Sequence, residues 1–143
     1  MFDLAIADQV FGRTDGYTWS VCGVRRGWLP TTTGLAVRVD HGLAALDEAD
    51  TIVVPGIGDE AWPVPAAALR RLRAAHARGA RVISVCTGAF VLDGGQLTDG
   101  VDLVVDCVGS EASLAQALQV VAPGGEVLVV GMPGHTTLDL TGL

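Results

Sequence analysis

The sequence predicts an α/β fold, a three-layer α/β/α sandwich around a mainly parallel sheet. Three runs, Thr51 to Pro55, Arg81 to Val85 and Val101 to Cys107, are short and rich in β-branched residues, the first of them apolar throughout, as a parallel strand covered on both faces requires. Each is followed by a segment with helical spacing, so strand–helix–strand units with right-handed crossovers are expected. The chain has 143 residues, 50% of them hydrophobic, which bounds it to a single domain spanning 1–143.

The elements follow in order. Residues 2–12 place Phe2, Ile6 and Val10 on one helical face and stop at Gly12, a helix with a glycine cap. Tyr17 to Val24 alternates into a strand, and Thr31 to Val39 forms a second extended piece through Gly34, an edge hairpin or arm. Leu43 to Glu48 is a short helix. The Thr51 strand ends in the turn cluster Pro55-Gly56-Ile57-Gly58, and Pro65 to Arg78 is an amphipathic helix with proline near its start and Gly79 after its end. The Arg81 strand turns sharply at Cys86-Thr87-Gly88 into a helix ending near Gly94-Gly95. After the Val101 strand, Ser110 to Val121 is a helix whose N-cap region holds Ser110 and Ser113 without a capping box of the usual residues. Glu126 to Val130 is a last strand after Pro123-Gly124-Gly125.

Charge is unevenly spread. All nine bases are arginines and lie at or before Arg81; residues 1–81 carry nine acids, and residues 82–143 carry seven acids and no base, so the net charge of −7 belongs to the second part. An acidic, lysine-free surface repels phosphate backbones, and no basic stripe is present, so nucleic acid is not expected as a partner. No apolar run approaches the length of a membrane span and the N-terminus carries no basic-then-apolar leader, which predicts a cytoplasmic protein with no membrane partner. Cys22, Cys86 and Cys107 are expected to be free thiols, and His41, His76 and His135 lack metal-ligand spacing, so no metal is expected.

Cys86 carries the strongest chemical argument. A thiol at the top of a parallel strand and at the start of the next helix faces oriented N–H groups, which favour its thiolate. The amides of Gly56, Gly58 and Thr87 are oxyanion-hole candidates near the same point. Against turnover, the residue after the cysteine is Thr87 and not a base, and no motif places Asp8 or Asp59 beside the thiol. Cys22 and Cys107 read as small apolar fillers. Asp106 is expected to cap the helix that begins near Ser110, Asp102 and Asp106 share a strand face without an acid/base partner, and Trp19, Trp28 and Trp62 read as packing residues. The arginines of the 65–78 helix occupy a solvated side.

Two resemblances join these observations. The stretches FDLAIADQVFG, TTTGLAVRVDHGLAALDEADTIVVPG, LRAAHARGARVISVCTGAFVL and GGQLTDG resemble the amidotransferase-like domain of the ThiJ/PfpI superfamily, in the group of AraC-type regulators and isonitrile hydratases. That resemblance covers residues 2–100 and implies a flavodoxin-like sheet with the cysteine at a strand-to-helix elbow and the glycine loop as its oxyanion hole. The chain departs from that family by starting at Phe2-Asp3, without the opening strand and the acid often found there, and by lacking its downstream histidine motif. Residues 100–143, through the stretch GVDLVVDCVGSEASLAQALQVVAPGGEVLVVGMPG, are similar to the nucleotide-binding domain of medium-chain alcohol dehydrogenases. The G-x-G-x-x-G fingerprint and the zinc ligands of those enzymes are absent, so no cofactor is expected.

Together these imply a flavodoxin-like/Rossmann-like hybrid, joined near Leu97 to Val101, and an engineered or chimeric protein without native catalytic activity. The alternatives are a cysteine-dependent hydratase, hydrolase or deglycase at Cys86, and a ligand-sensing or dimerisation module of a regulator, for which a homodimer is admitted. The last strand is expected either in the central slot left by the absent opening strand or at the outer edge beside the Val101 strand.

Overall fold

The computed structural model describes residues 2–31, 33–57, 63–94 and 100–130. The chain opens with helix α1 (Phe2–Phe11), whose first turn carries Asp3. The Gly12 N–H closes it on the Asp8 carbonyl at 2.8 Å. Tyr17 and Trp19 then fold back on the helix end: Phe11 stacks on Trp19 with ring centroids 5.9 Å apart, Tyr17 meets Phe11 edge-on at 5.2 Å, and the Trp19 indole donates to Asp8 Oδ1 at 3.0 Å.

The strand expected over Tyr17 to Val24 is therefore reduced to β1 (Cys22–Gly23), paired in parallel with β4 (His41–Gly42) over two residues. Alternation alone cannot make a strand where no longer partner is at hand. The expected hairpin does form, but between β2 (Gly27–Pro30) and β3 (Ala36–Val39), with the antiparallel register Gly27↔Val39 to Pro30↔Ala36. Thr31 and Leu35 close its loop, the Thr31 N–H donating to the Leu35 carbonyl at 2.8 Å. A short 3₁₀ turn, Leu43–Asp47, leads to the sheet.

That sheet is the centre of the molecule. Strands β5 (Thr51–Val54), β6 (Arg81–Val85), β7 (Val101–Asp106) and β8 (Val121–Val129) lie in sequence order and are all parallel. The α/β class and parallel sheet flanked by helices are those the sequence predicts. Helices α2 (Ala66–Ala77), α3 (Gly88–Gly94) and α4 (Glu111–Val120) form the crossovers, and right-handed connections stepping one way across a sheet place them on the same face. One apolar cluster accordingly joins Ile52, Val54, Val82 and Val104 of the strands to Leu72, Ala75, Leu92, Ala117 and Val120 of the helices. Successive residues of β6 from Val82 to Val85 are all buried, so this strand is covered on both faces.

The amphipathic helix α2 is tied to the preceding segment by its arginines. Arg78 donates to the Leu46 and Ala49 carbonyls at 3.1 and 3.2 Å, and Arg71 pairs with Asp47. Helix α4 starts on a capping box that the sequence reading did not expect: Ser113 N–H donates to Ser110 Oγ at 3.1 Å, and Ser110 N–H donates to Ser113 Oγ at 3.0 Å. A serine hydroxyl at the third helical position fills the place usually taken by glutamate or glutamine.

The last strand takes the outer edge. Pairing runs Val101↔Val121 and then Leu103↔Glu126, so Ala122 to Gly125 bulge out and the ladder resumes over the residues expected, continued by the Val130 N–H to the Asp106 carbonyl at 2.8 Å. The central-slot arrangement is not adopted, and among the described residues no strand pairs with the outer edge of β5. The expected joint near Leu97 to Val101 lies mostly outside the described residues. None of the helices described is long and apolar enough to cross a membrane.

Ser84 sits in register between Val54 and Val104, with 0% exposure and no partner for its hydroxyl among the described residues. An isolated hydroxyl in an apolar layer costs about 1–3 kcal/mol. Ser84→Ala should thus raise the unfolding free energy by about 1 kcal/mol, seen as a higher urea midpoint; a lower midpoint would show that the hydroxyl is bonded in solution.

Candidate functional site

In open parallel sheets, functional groups gather beyond the carboxyl ends of the strands. Here that end collects Gly56 and Ile57 after β5, Cys86 and Thr87 after β6, and Asp106 and Cys107 at the end of β7. Cys86 is the elbow. Its φ is +54°, the one left-handed non-glycine residue among those described, a conformation that costs about 1–2 kcal/mol and persists only where surrounding bonds impose it. The Cys86 N–H donates to the Val105 carbonyl at 2.9 Å, and its own carbonyl accepts from the Ala89 N–H at 3.3 Å. The next residue locks the turn to the neighbouring loop, Thr87 Oγ1 donating to the Ile57 carbonyl at 2.7 Å. Gly88 then has to lack a side chain, because a Cβ would overlap the Val54 carbonyl and stand 3.1 Å from that of Pro55.

A carboxylate enters this mouth that sequence reading did not place there. The space a Gly56 side chain would fill is taken by the Asp3 carboxylate, with Thr87 Oγ1 3.0 Å from the same point. The first turn of α1 thus docks over the β5 and β6 ends. No local signal in the sequence places Asp3 here, because its approach depends on how α1 docks on the sheet. Gly56 and the Thr87 hydroxyl lie together at this mouth. Gly58 and Asp59 lie outside the described residues, as do Trp62 and His135. Asp8 is engaged with Trp19.

Asp106 is buried, with 5% exposure, and fully engaged. Its Oδ1 accepts from Val108 N–H at 2.9 Å and from Gly109 N–H at 3.2 Å, and its Oδ2 accepts from Ser113 Oγ at 2.9 Å. The N-cap expected at Asp106 is instead Ser110; Asp106 braces the turn ahead of the helix and reaches the helix itself only through the Ser113 hydroxyl. Asp102 also serves structure, its Oδ2 accepting from the Val82 N–H at 2.9 Å. Burial pushes the Cys107 thiol above its ordinary value, and the negative groups of Cys86, Asp3 and Asp106 push it further in the same direction. The Cys22 thiol is also raised by burial, with a smaller opposing contribution from a backbone hydrogen bond. His76 is in the last turn of α2, which leads into the start of β6 and so lies at the opposite end of the sheet from Cys86.

Fold and site together define a Rossmann-like α/β protein with a thiol and a carboxylate at the mouth of its parallel sheet. The family model described as zinc-binding dehydrogenase matches residues 70–143, from within α2 onward and just over half of the chain, and the chain belongs to that family. The match begins well before residue 100, so it takes in β6, Cys86 and α3 as well as the part the sequence reading compared with dehydrogenases. A comparison with curated proteins finds no match.

The described residues do not fit the groups that family would imply. Among the described residues, no three His, Cys, Asp or Glu side chains come together to hold a metal ion. The Asp3 carboxylate lies at Gly56, where an approaching pyrophosphate would need N–H groups and positive potential.

Proposed function

We propose that this protein is a cysteine-centred α/β protein, in which Cys86 attacks a small electrophilic carbon such as an activated carbonyl or an isonitrile. The observation that carries this reading is the arrival of the Asp3 carboxylate at Gly56 and Thr87, next to the strained Cys86 elbow. A nucleophilic thiol needs a neighbouring group to handle its proton, and Asp106 is held by Val108, Gly109 and Ser113, so Asp3 takes that part. The thiol proton passes to Asp3 as sulfur bonds to the electrophilic carbon; Asp3 then gives the proton to the departing group of an acyl substrate, whose bond to carbon breaks, or to the attacked terminal carbon of an isonitrile. Water next adds its hydroxyl to the same carbon, the C–S bond breaks, and the second proton of the water restores the Cys86 thiol (for an acyl substrate) or ends on the isonitrile nitrogen by way of the thiol. In this reading residues 1–99 are an amidotransferase-like segment, 100–143 complete the sheet as a dehydrogenase-like segment, and the chain works in the cytoplasm with its thiols reduced.

Limiting iodoacetamide at pH 6–7 followed by mass spectrometry tests this. Cys86 should label first, because the raised Cys22 and Cys107 thiols hold less thiolate at that pH. Equal, slow labelling of all three removes the reading. A small-electrophile screen on the same protein should show turnover that Cys86→Ser abolishes and Asp3→Asn lowers about 100-fold.

A second reading, a hybrid fold without turnover, is favoured by the sheet order itself: β8 keeps the outer-edge place and β5 has no strand beyond it among the described residues. It gives fast Cys86 labelling with no turnover.

A further inference from the structure

The elbow cysteine has a neighbour that neither segment's resemblance explains. The register Val85↔Val105 sets Cys86 opposite Asp106 and therefore one residue short of Cys107 on the adjacent strand. Parallel strands lie about 4.8 Å apart with a rise of about 3.3 Å per residue, so the two Cα atoms are roughly 6 Å apart, inside the window of about 4.4–6.8 Å that disulfides occupy. The Cys86 N–H bond to the Val105 carbonyl at 2.9 Å holds this offset. Both thiols are free and partly exposed, and so is Cys22, but Cys22 lies in β1, outside the four-stranded sheet.

We propose that Cys86 and Cys107 form a peroxide-responsive thiol pair, Cys86 being oxidised first and Cys107 resolving it into an intramolecular disulfide. This rests on Cys86 being the reactive thiol, as above, but not on any substrate turnover. The Cys86 thiolate attacks one oxygen of hydrogen peroxide, forming the sulfenic acid and releasing hydroxide. The Cys107 sulfur then attacks the Cys86 sulfur, the S–O bond breaks, and the oxygen leaves as water with the proton Cys107 gives up. Two thiols are oxidised and one peroxide is reduced to two waters. The negative charge of Cys86 is one of the groups that hold the Cys107 proton in place, and it is gone once Cys86 is a neutral sulfenic acid. The first step therefore eases the second. Oxidation would lock the end of β6 to the end of β7 and consume the proposed nucleophile.

The full-length chain is treated with equimolar hydrogen peroxide, blocked with N-ethylmaleimide and read by intact mass, then digested with Asp-N, which cuts between the two cysteines. The expected result is a monomer with a single remaining maleimide site at Cys22, a linked pair of peptides carrying Cys86 and Cys107, and pairing about tenfold or more faster than in urea-unfolded chain. Cys107→Ser should instead trap a dimedone adduct on Cys86. Dimedone capture or sulfinic acid at Cys86 in the wild type, with Cys107 still free, overturns the pairing while leaving Cys86 as the reactive thiol. Oxidation of all three thiols at the rate of the unfolded chain overturns both readings. Disulfides to Cys22 or between copies also overturn the pairing.

Discussion

Asp106→Ala should lower the unfolding free energy by about 3 kcal/mol, measured as a large fall in the urea midpoint. The carboxylate is buried and accepts the Val108 and Gly109 N–H groups and the Ser113 hydroxyl. Truncation leaves those donors without an acceptor in the turn between β7 and the N-cap Ser110 of α4. Each unsatisfied buried donor costs about 1–3 kcal/mol. Asp106→Asn keeps one acceptor oxygen and should recover about half of the loss, since the charge-assisted part of these bonds goes while the geometry stays. A loss below about 1 kcal/mol for the alanine variant would show that water replaces the carboxylate and that these bonds are not what holds the β7–α4 connection.

Gly100→Ala is expected to be comparably damaging, by about 3 kcal/mol or more, for two reasons that a second variant separates. Gly100 has φ +77°, and a Cβ there would stand 2.5 Å from the Ala122 nitrogen and 2.8 Å from the Val121 carbonyl carbon. Gly79 has a similar φ, +95°, but open space around its Cβ position. Gly79→Ala should therefore cost only the conformational part, about 1 kcal/mol. The difference between the two variants measures the overlap with the first residues of β8. Equal losses would mean that the Val121–Ala122 backbone moves aside freely and that the β7–β8 bulge is soft.

These sites illustrate how far local pattern carries. The β-branched runs at Thr51, Arg81 and Val101 became parallel strands; Val82 to Val85 are buried on both faces, while Asp102 leaves the Val101 strand exposed at its second residue. Helix α2 starts after Pro65 and stops before Gly79 for the same local reasons that mark it in the sequence. Asp106 is a polar anchor near Ser110 as its position suggests, but it braces the preceding turn while Ser110 is the cap. Tyr17 to Val24 is not readable as it stands, because a strand needs a partner and the aromatic rings of this segment meet Phe11 instead. The Ser110–Ser113 box has no ordinary sequence signature, because serine is an unusual third-position partner.

The amino-acid sequence by itself determined the element types from Thr51 onward, the sharp turn at Cys86 and the acidic, arginine-only charge pattern, since these depend on residues within a few positions of one another. The tertiary structure alone decided that β8 takes the outer edge, that Asp3 reaches Gly56 and Thr87, and that Cys107 stands one residue from register with Cys86. Those facts depend on how helices dock and strands align across many residues of intervening chain, where burial of the whole apolar surface and not any local preference selects the arrangement.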